Sequence, residues 1–242
     1  MQMVQHKYFG DSRDYFKYDL ITKVLAQSSL RHYMFIPMLT EHRDDGQGNT
    51  RSRNRGDKSP ELLDFIVRCN GIRSLKHWET WLGPHVQSYR TVEPVDGLYF
   101  SDQTRDTYWD LFGPLIGRPD ALIFIDPDTG LQSGGSAYRQ KQGPERYLLF
   151  SELRDLLGAS DPSSVLMVYQ HLSRNEHHRH PSMEKKLSQI RDLCGSTYSC
   201  AYREADLGFL FVAKRPELHN QIRTVLDCYC ANSKISSRSL CL

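Results

Sequence analysis

The chain has 242 residues, of which 39% are hydrophobic and 25% charged, a composition that can fill a core and excludes global disorder. Its 31 basic and 29 acidic residues give a formal net charge of +2, which neither requires nor excludes a nucleic-acid partner. No stretch approaches the roughly 18 apolar residues of a membrane span, and the first residues lack a signal-peptide core. We therefore expect a soluble, cytoplasmic protein with no membrane partner.

The first two elements are a helix and a strand. Within residues 8–27, apolar residues recur at every third or fourth position, which predicts a helix. Lys17, near its start, is either solvated or directed at a ligand. The apolar run at 32–39 predicts a strand. Because Pro37 cannot donate to a sheet ladder, we expect this strand to lie at a sheet edge or to end early.

A mobile basic loop is predicted at residues 43–59, where the sequence has no hydrophobic periodicity and is rich in Gly, Asn, Asp and Ser. Its basic side chains could bind the phosphates of a nucleic acid, or could belong to a solvated, flexible loop. The candidate nucleic-acid contacts in this loop are Arg51, Arg53 and Arg55.

The next segment predicts two helices within residues 60–83, separated at Asn70-Gly71. The first is opened by Ser59 as its N-cap. A short strand is predicted at 95–100, followed by a helix that starts near Ser101 or the residue after it.

The chain is organised around residues 121–125, a continuous apolar run that predicts a strand buried on both faces. The strand leads directly into Asp126-Pro127-Asp128-Thr129-Gly130, a composition typical of a turn. Ligands bind at the carboxyl ends of strands in open α/β sheets, so Asp126 and Asp128 are candidate catalytic residues. The alternative is that both acids only cap the turn.

A long Gly-, Gln- and Ser-rich loop follows, and its basic side chains could meet phosphate groups. These residues are Arg139, Lys141 and Arg146. A second buried strand is predicted at 165–169. Its end delivers Gln170 and His171 to the same sheet edge, as further candidate catalytic residues.

The last third of the chain closes the fold. A histidine-rich segment at 176–180 lacks the spacing of common zinc sites, so no metal ligand is assigned there. We instead expect these residues to form the basic N-terminal end of a helix. Residues 197–213 predict an antiparallel hairpin, because a three-residue turn cannot contain a parallel crossover. A helix follows at 216–228.

The alternation of strands and helices predicts a Rossmann-like α/β fold. We expect a mostly parallel sheet with helices on both faces and a C-terminal antiparallel β-hairpin. The expected domain organisation is a single domain at 1–230 that includes the basic loop, followed by a frayed tail at 231–242.

Two short motifs and the closing hairpin resemble the class I S-adenosylmethionine-dependent methyltransferase fold. The motifs are Gly10-Asp11-x-x-Asp14-x-x-Lys17-Tyr18 and an apolar strand followed by Asp126-Pro127. Their order is similar to that of the adenine-N6 methyltransferases of large-subunit ribosomal RNA, which carry Gly-Asn-x-x-Asp-x-x-Lys-His and Asp-Pro-Pro-Tyr. The chain departs from this pattern in its glycine loop and in Asp128-Thr129, which replaces Pro-Tyr.

The resemblance implies that Asp126 accepts a hydrogen bond from a target amine and directs its lone pair at the methyl group of S-adenosylmethionine. It further implies that Lys17, Tyr18, Glu41 and Gly46 lie beside this cofactor. Catalysis would then be mainly positioning, since the sulfonium is already activated. The basic side chains would bind a nucleic acid, with RNA favoured.

Two other functions stay open. In a metal-dependent phosphodiesterase or nuclease, Asp126 and Asp128 would hold Mg²⁺ or Mn²⁺ and His171 would act as general base. Alternatively, the chain is a catalytically inactive methyltransferase-like module that binds nucleic acid or a partner protein.

Overall fold

The computed structural model describes residues 12–40, 58–69, 74–92, 99–132, 143–231 and 240–241. The α-helices in these ranges are α1 (Ser12–Gln27), α2 (Pro60–Cys69), α3 (Lys76–Leu82), α4 (Arg105–Ile116), α5 (Phe150–Ala159), α6 (Arg179–Cys194) and α7 (Pro216–Ala231). The strands are β1 (His32–Pro37), β2 (Ser88–Thr91), β3 (Ala121–Asp126), β4 (Gly130–Leu131), β5 (Tyr147–Leu148), β6 (Val165–His171), β7 (Tyr198–Glu204), β8 (Leu207–Ala213) and β9 (Leu240–Cys241).

The main sheet has the strand order β2-β1-β3-β6-β8-β7-β9. Strands β2, β1, β3 and β6 are parallel, whereas β8 is antiparallel to both β6 and β7, and β9 is antiparallel to β7. Five of the strands described in this sheet therefore point in one direction. The predicted Rossmann-like sheet with a closing antiparallel hairpin is confirmed.

The two faces of the sheet are covered by different helices. Along β3, Leu122 and Phe124 pack into a cluster with α1, α2, α3 and α7, while Ile123 and Ile125 pack into a second cluster with α4, α5 and α6. All four side chains are buried. Because burying each such side chain contributes roughly 1.5–3 kcal/mol, this strand is a main source of the stability of the domain. The expectation of helices on both faces is confirmed.

Single residues in the sequence mark the start of α2 and the end of β1. The Ser59 hydroxyl accepts a hydrogen bond of 3.1 Å from the backbone N–H of Leu62, as expected for the N-cap of α2. β1 ends at Pro37, which is one of the two outcomes expected for that proline. The other outcome, an edge position, is wrong, because β1 lies between β2 and β3.

One edge strand of the main sheet, β2 at Ser88–Thr91, was not predicted from the sequence. Of the short strand that was predicted at 95–100, residues 99 and 100 are irregular and the others lie outside the described residues. The next helix, α4, begins at Arg105 because Ser101 and Thr104 first close a turn, in which Thr104 Oγ1 accepts from Ser101 N at 2.9 Å.

The predicted loop and tail lie mostly outside the described residues, which omit 41–57, 232–239 and 242. Lys58, at the end of the predicted loop, is buried, and Leu240–Cys241 pairs with β7. In the ranges that the structure describes, no helix is long and apolar enough to cross a membrane.

This topology brings four strand ends together. Strands β1, β3, β6 and β7 run in the same direction and end at Pro37, Asp126, His171 and Glu204. We call this side of the sheet the carboxyl edge, and the side where the same strands begin the amino edge. The carboxyl edge is where open α/β sheets bind ligands.

Candidate active site at the carboxyl edge

The centre of the site is an ion pair between α1 and the end of β3. Lys17 Nζ donates to both carboxylate oxygens of Asp126, at 2.9 and 2.8 Å. It also lies 3.6 Å from Oδ1 of Asp14, one helical turn earlier. The spacing of three residues on a helix places Asp14 and Lys17 on one face, toward the sheet. A buried lysine is thus held between two carboxylates.

The electrostatic balance keeps Lys17 charged. Burial of its ammonium group favours the neutral amine, but the carboxylates of Asp126 and Asp14 outweigh that effect and raise the pKa of Lys17 above its ordinary value. The ring of Tyr169 contributes as well, since Lys17 Nζ lies 4.3 Å from its centre. Lys17 is therefore a cation at neutral pH.

Tyr169, near the end of β6, lies beneath the ammonium group of Lys17. Its hydroxyl oxygen is buried and has no hydrogen-bond partner among the described residues. Burial raises the pKa of Tyr169, although Lys17 and Arg13 act in the opposite direction. The hydroxyl is a neutral group beside the ion pair, with one donor and one acceptor still to be satisfied.

Asp128 and Arg146, which were predicted to have different roles, pair with each other. Arg146 Nε lies 2.5 Å from Asp128 Oδ2, and both side chains are partly exposed. The pair also links two backbone segments, because Thr129 N donates to the carbonyl of Arg146 at 2.9 Å. The structure therefore places Asp128 against a guanidinium group beside the turn that follows β3.

Gln170, a candidate catalytic residue, uses its side-chain amide to hold the turn after β3. Its side chain is buried, its Oε1 accepts from Leu131 N at 3.0 Å, and its Nε2 donates to the carbonyls of Thr129 and His171 at 3.1 and 2.7 Å. These bonds use the oxygen and both N–H groups of the amide. The close approach requires Gly130, where φ is +124° and a Cβ atom would lie 2.5 Å from the amide. Gln170 holds the turn in place.

His171 is partly exposed at the end of β6. Its Nδ1 lies 3.9 Å from Asp206 Oδ2, and its backbone N–H donates to the carbonyl of Thr129 at 2.9 Å. Burial and the guanidinium of Arg13 lower the pKa of His171 below 6.5, although Asp206 acts in the opposite direction. His171 is therefore neutral at pH 7 and lies at the edge where it was predicted.

Tyr18, which the resemblance places beside a cofactor, packs in the core. Its ring stacks on Trp78, with ring centres 3.3 Å apart and planes inclined by 8°, and it is buried between α1 and α3. Such packing is that of a core residue. The remaining predicted site residues lie outside the described residues: Glu41, Gly46, Arg51, Arg53, Arg55, Arg139 and Lys141.

Sequence reasoning overlooked two groups near the centre of the site. Asp14 was named in the motif of α1 but was given no role of its own, although its spacing of three residues from Lys17 was a usable signal. The proximity of Asp206 to His171 had no signal in the sequence, because it depends on how the hairpin folds back. In the part of the chain that the structure describes, no group of three or more His, Cys, Asp or Glu side chains is placed to hold a metal ion.

The chain matches no family model and no curated protein. Among solved structures it is similar to the crystal structure of protein LPL1258 from Legionella pneumophila str. Philadelphia 1, of the family DUF519. The TM-score is 0.47 and the identity 13%, over 96% of each chain. At this level the likeness carries no argument about activity.

Proposed function

We propose that the chain is an S-adenosylmethionine-dependent methyltransferase that acts on a nucleic acid, with RNA favoured. The observation that carries the proposal is the ion pair between Lys17 and Asp126. The two motifs on which the resemblance rests are separated by 109 positions from Lys17 to Asp126, and they meet in one site. A chance likeness of two short motifs would not require such a meeting.

The topology supports the same proposal. Strand β8 runs antiparallel between β6 and β7, which is the closing hairpin on which the resemblance partly rests. The candidate residue Asp126 ends β3, which lies between two parallel neighbours. Side chains at this position can reach a ligand held across the carboxyl edge.

The chemistry required of the chain is positioning. S-adenosylmethionine, when bound, supplies a methyl group that its sulfonium already activates. The carboxylate of Asp126 can accept a hydrogen bond from the amine that is to be methylated, and so fix the direction of the lone pair on the amine nitrogen. Lys17 fixes the carboxylate in turn, through hydrogen bonds to both oxygens.

The fit of the described residues to the cofactor is partial. Asp126 fits because its side chain retains some exposure, and Lys17 fits as its positioning partner. Tyr18 does not fit, because it belongs to the core. Since β2 ends at Thr91, the acid that follows this strand in the sequence is Glu93, which lies outside the described residues and is a candidate for the ribose hydroxyls.

The metal-dependent alternative has less support. Its strongest feature is His171, a neutral imidazole at the same edge. However, Asp126 binds Lys17 and Asp128 binds Arg146, so a divalent cation would have to displace two basic side chains before both carboxylates could hold it.

Calorimetric titration with S-adenosylmethionine tests the proposal. We expect binding by the wild-type chain, a loss of at least about tenfold in affinity for Lys17→Met, and no change for Lys23→Met, which alters an exposed lysine on the same helix. In an RNA methylation assay, Asp126→Ala should lose about 100-fold in rate.

The other outcomes separate the alternatives. If the nucleoside does not bind, while Mg²⁺ or Mn²⁺ binds and Asp128→Asn abolishes that binding, the methyltransferase proposal is wrong and phosphodiester chemistry replaces it. If neither the nucleoside nor a metal binds, the chain is a binding module. Retained activity in Asp126→Ala would remove that residue from the mechanism.

A further inference from the structure

A cavity lined by two arginines lies at the amino edge, away from the site described above. It lies between the second half of α4 and strands β1 and β2, is open to solvent on one side, and has a volume of about 170 Å³. It is lined by Met34, Ser88, Arg90, Pro114, Leu115 and Arg118. Met34, its lining residue on β1, lies three residues before the end of that strand at the carboxyl edge, a separation of roughly 10 Å at the usual rise per residue. We call it the amino-edge cavity.

One of its two guanidinium groups is fixed by a chain of hydrogen bonds. Arg118 Nη2 lies 3.2 Å from His32 Nε2, and His32 Nδ1 lies 2.8 Å from the hydroxyl oxygen of Ser88. Arginine can only donate, so Nε2 of His32 accepts and Nδ1 carries the proton that it donates to Ser88. Burial and Arg118 lower the pKa of His32, which keeps the imidazole in this neutral form, although Asp120 acts in the opposite direction.

The second guanidinium group, that of Arg90, has no acidic partner among the residues that the structure describes. Among the described residues, the side chain of Arg90 makes no hydrogen bond or ion pair, and Arg118 makes none with a carboxylate. Asp120 is the acid near His32, and its influence reaches that imidazole. Two positive groups thus line one cavity, and the residues described around it leave their charge without a paired anion.

We propose that the amino-edge cavity binds a phosphate group, as inorganic phosphate or as the terminal phosphate of a monoester, between Arg90 and Arg118. Guanidinium groups donate pairs of parallel hydrogen bonds that match the oxygens of phosphate, and two of them can engage different edges of one tetrahedral anion. The volume of the cavity accommodates such a group. Pro114 and Leu115 add apolar surface to the lining, against which the organic part of a monoester can lie.

Calorimetric titration in chloride buffer tests this site, with inorganic phosphate and, separately, a nucleoside 5′-monophosphate as the probes. We expect the wild-type chain to bind at least one of them in the millimolar range or more tightly. Arg90→Gln and Arg118→Gln should each weaken binding at least about tenfold. Arg223→Gln, an exposed arginine on α7, is the matched control and should bind as the wild type does.

The two probes identify the ligand. Equal affinity means that the phosphate group alone is recognised, and tighter binding of the monophosphate means that the site takes an ester. The proposal is overturned if neither probe binds at millimolar concentration, or if Arg223→Gln loses as much affinity as the cavity variants. Lys17→Met should bind phosphate normally, so failure of the methyltransferase proposal leaves this result interpretable.

Discussion

Lys17 and Lys58 are built into the protein in the same way. Each ammonium nitrogen lies 2.8 Å from a carboxylate at the last residue of a strand, Asp126 for β3 and Glu204 for β7. Each also lies over a tyrosine ring, at 4.3 and 4.4 Å from its centre. Both lysines come from segments that precede these strands by more than 100 residues in the sequence.

The two pairs differ in what surrounds them. The side chains of Lys17 and Asp126 are 9% and 19% exposed, whereas those of Lys58 and Glu204 are 1% and 4% exposed. The hydroxyl of Tyr229 accepts from Lys58 at 2.7 Å, and that of Tyr202 donates to Glu204 at 2.7 Å. The ion pair of Lys58 and Glu204 is therefore a buried structural contact, which we call a structural joint. The ion pair of Lys17 and Asp126 is similar in chemistry but remains accessible to a ligand.

The largest expected effect distinguishes the two pairs by stability. Lys58→Met leaves Glu204 buried without its counter-charge, and we expect the free energy of unfolding to fall by about 3–5 kcal/mol. Lys17→Met should cost less, by about 2 kcal/mol, because Asp126 remains in contact with water. Urea unfolding of both variants measures the difference.

Lys23→Met serves as the control, since this exposed lysine on α1 should change stability by no more than about 0.5 kcal/mol. Equal losses of unfolding free energy for Lys17→Met and Lys58→Met would contradict the distinction between a solvent-accessible and a buried ion pair. A larger loss for Lys17→Met would make the proposed site a structural joint as well.

A third buried lysine, Lys186, sharpens the comparison because none of its partners in the described part of the chain is a carboxylate. Lys186 donates to the carbonyls of Leu131 and Gln132 at 2.5 and 3.1 Å. Burial, together with Lys185, lowers the pKa of Lys186 from 10.5 to about 8. Between these two values the unfolded chain binds more protons than the folded chain, so the contribution of Lys186 to stability increases with pH.

We therefore expect the stability of the wild type relative to Lys186→Met to increase as the pH rises from about 8 to 10.5, by up to about 1.4 kcal/mol per pH unit. Urea unfolding at several pH values measures this slope. Lys185→Met, which alters the exposed neighbour, should keep most of the wild-type slope. If the difference between wild type and Lys186→Met does not depend on pH, the lowered pKa is wrong.

The smallest expected effect concerns the pair of Asp128 and Arg146. Both side chains are partly exposed, so Asp128→Asn should reduce the free energy of unfolding by no more than about 1 kcal/mol. Chemical unfolding checks this value. A loss of several kcal/mol would show that this pair, like the one at Lys58, is a structural joint.

The sequence predicted elements whose signals are local. The uninterrupted apolar run of β3 indicated a strand buried on both faces, and the polar residues after it indicated the edge where the candidate site lies. Strand β2 was missed because Ser88–Thr91 is short, polar and only half-buried, so it carries little hydrophobic pattern. The roles of Gln170 and Tyr18 could not be assigned, since a polar or aromatic residue at such a position serves a ligand or the core depending on what packs against it.

The partners of the buried lysines could not be predicted either. Nothing near Lys58 in the sequence distinguishes it from the basic residues that precede it, and its burial depends on Glu204, 146 positions later. The pairing of Lys17 with Asp126 was implied only indirectly, through the likeness of two separate motifs. Charge pairs across such separations are fixed by the tertiary structure, which no local pattern encodes.

The position of β8 in the sheet has a consequence for the order in which the chain can fold during synthesis. Strand β7 is made before β8, but its place in the sheet is beyond β8, which separates it from β6. Until residues 207–213 have emerged from the ribosome, β6 keeps an unpaired edge and β7 has no neighbour on which to form. Lys58, made long before, can bind Glu204 in its native position only after that step. The joint at Lys58 is therefore among the last native contacts that a newly synthesised chain can complete.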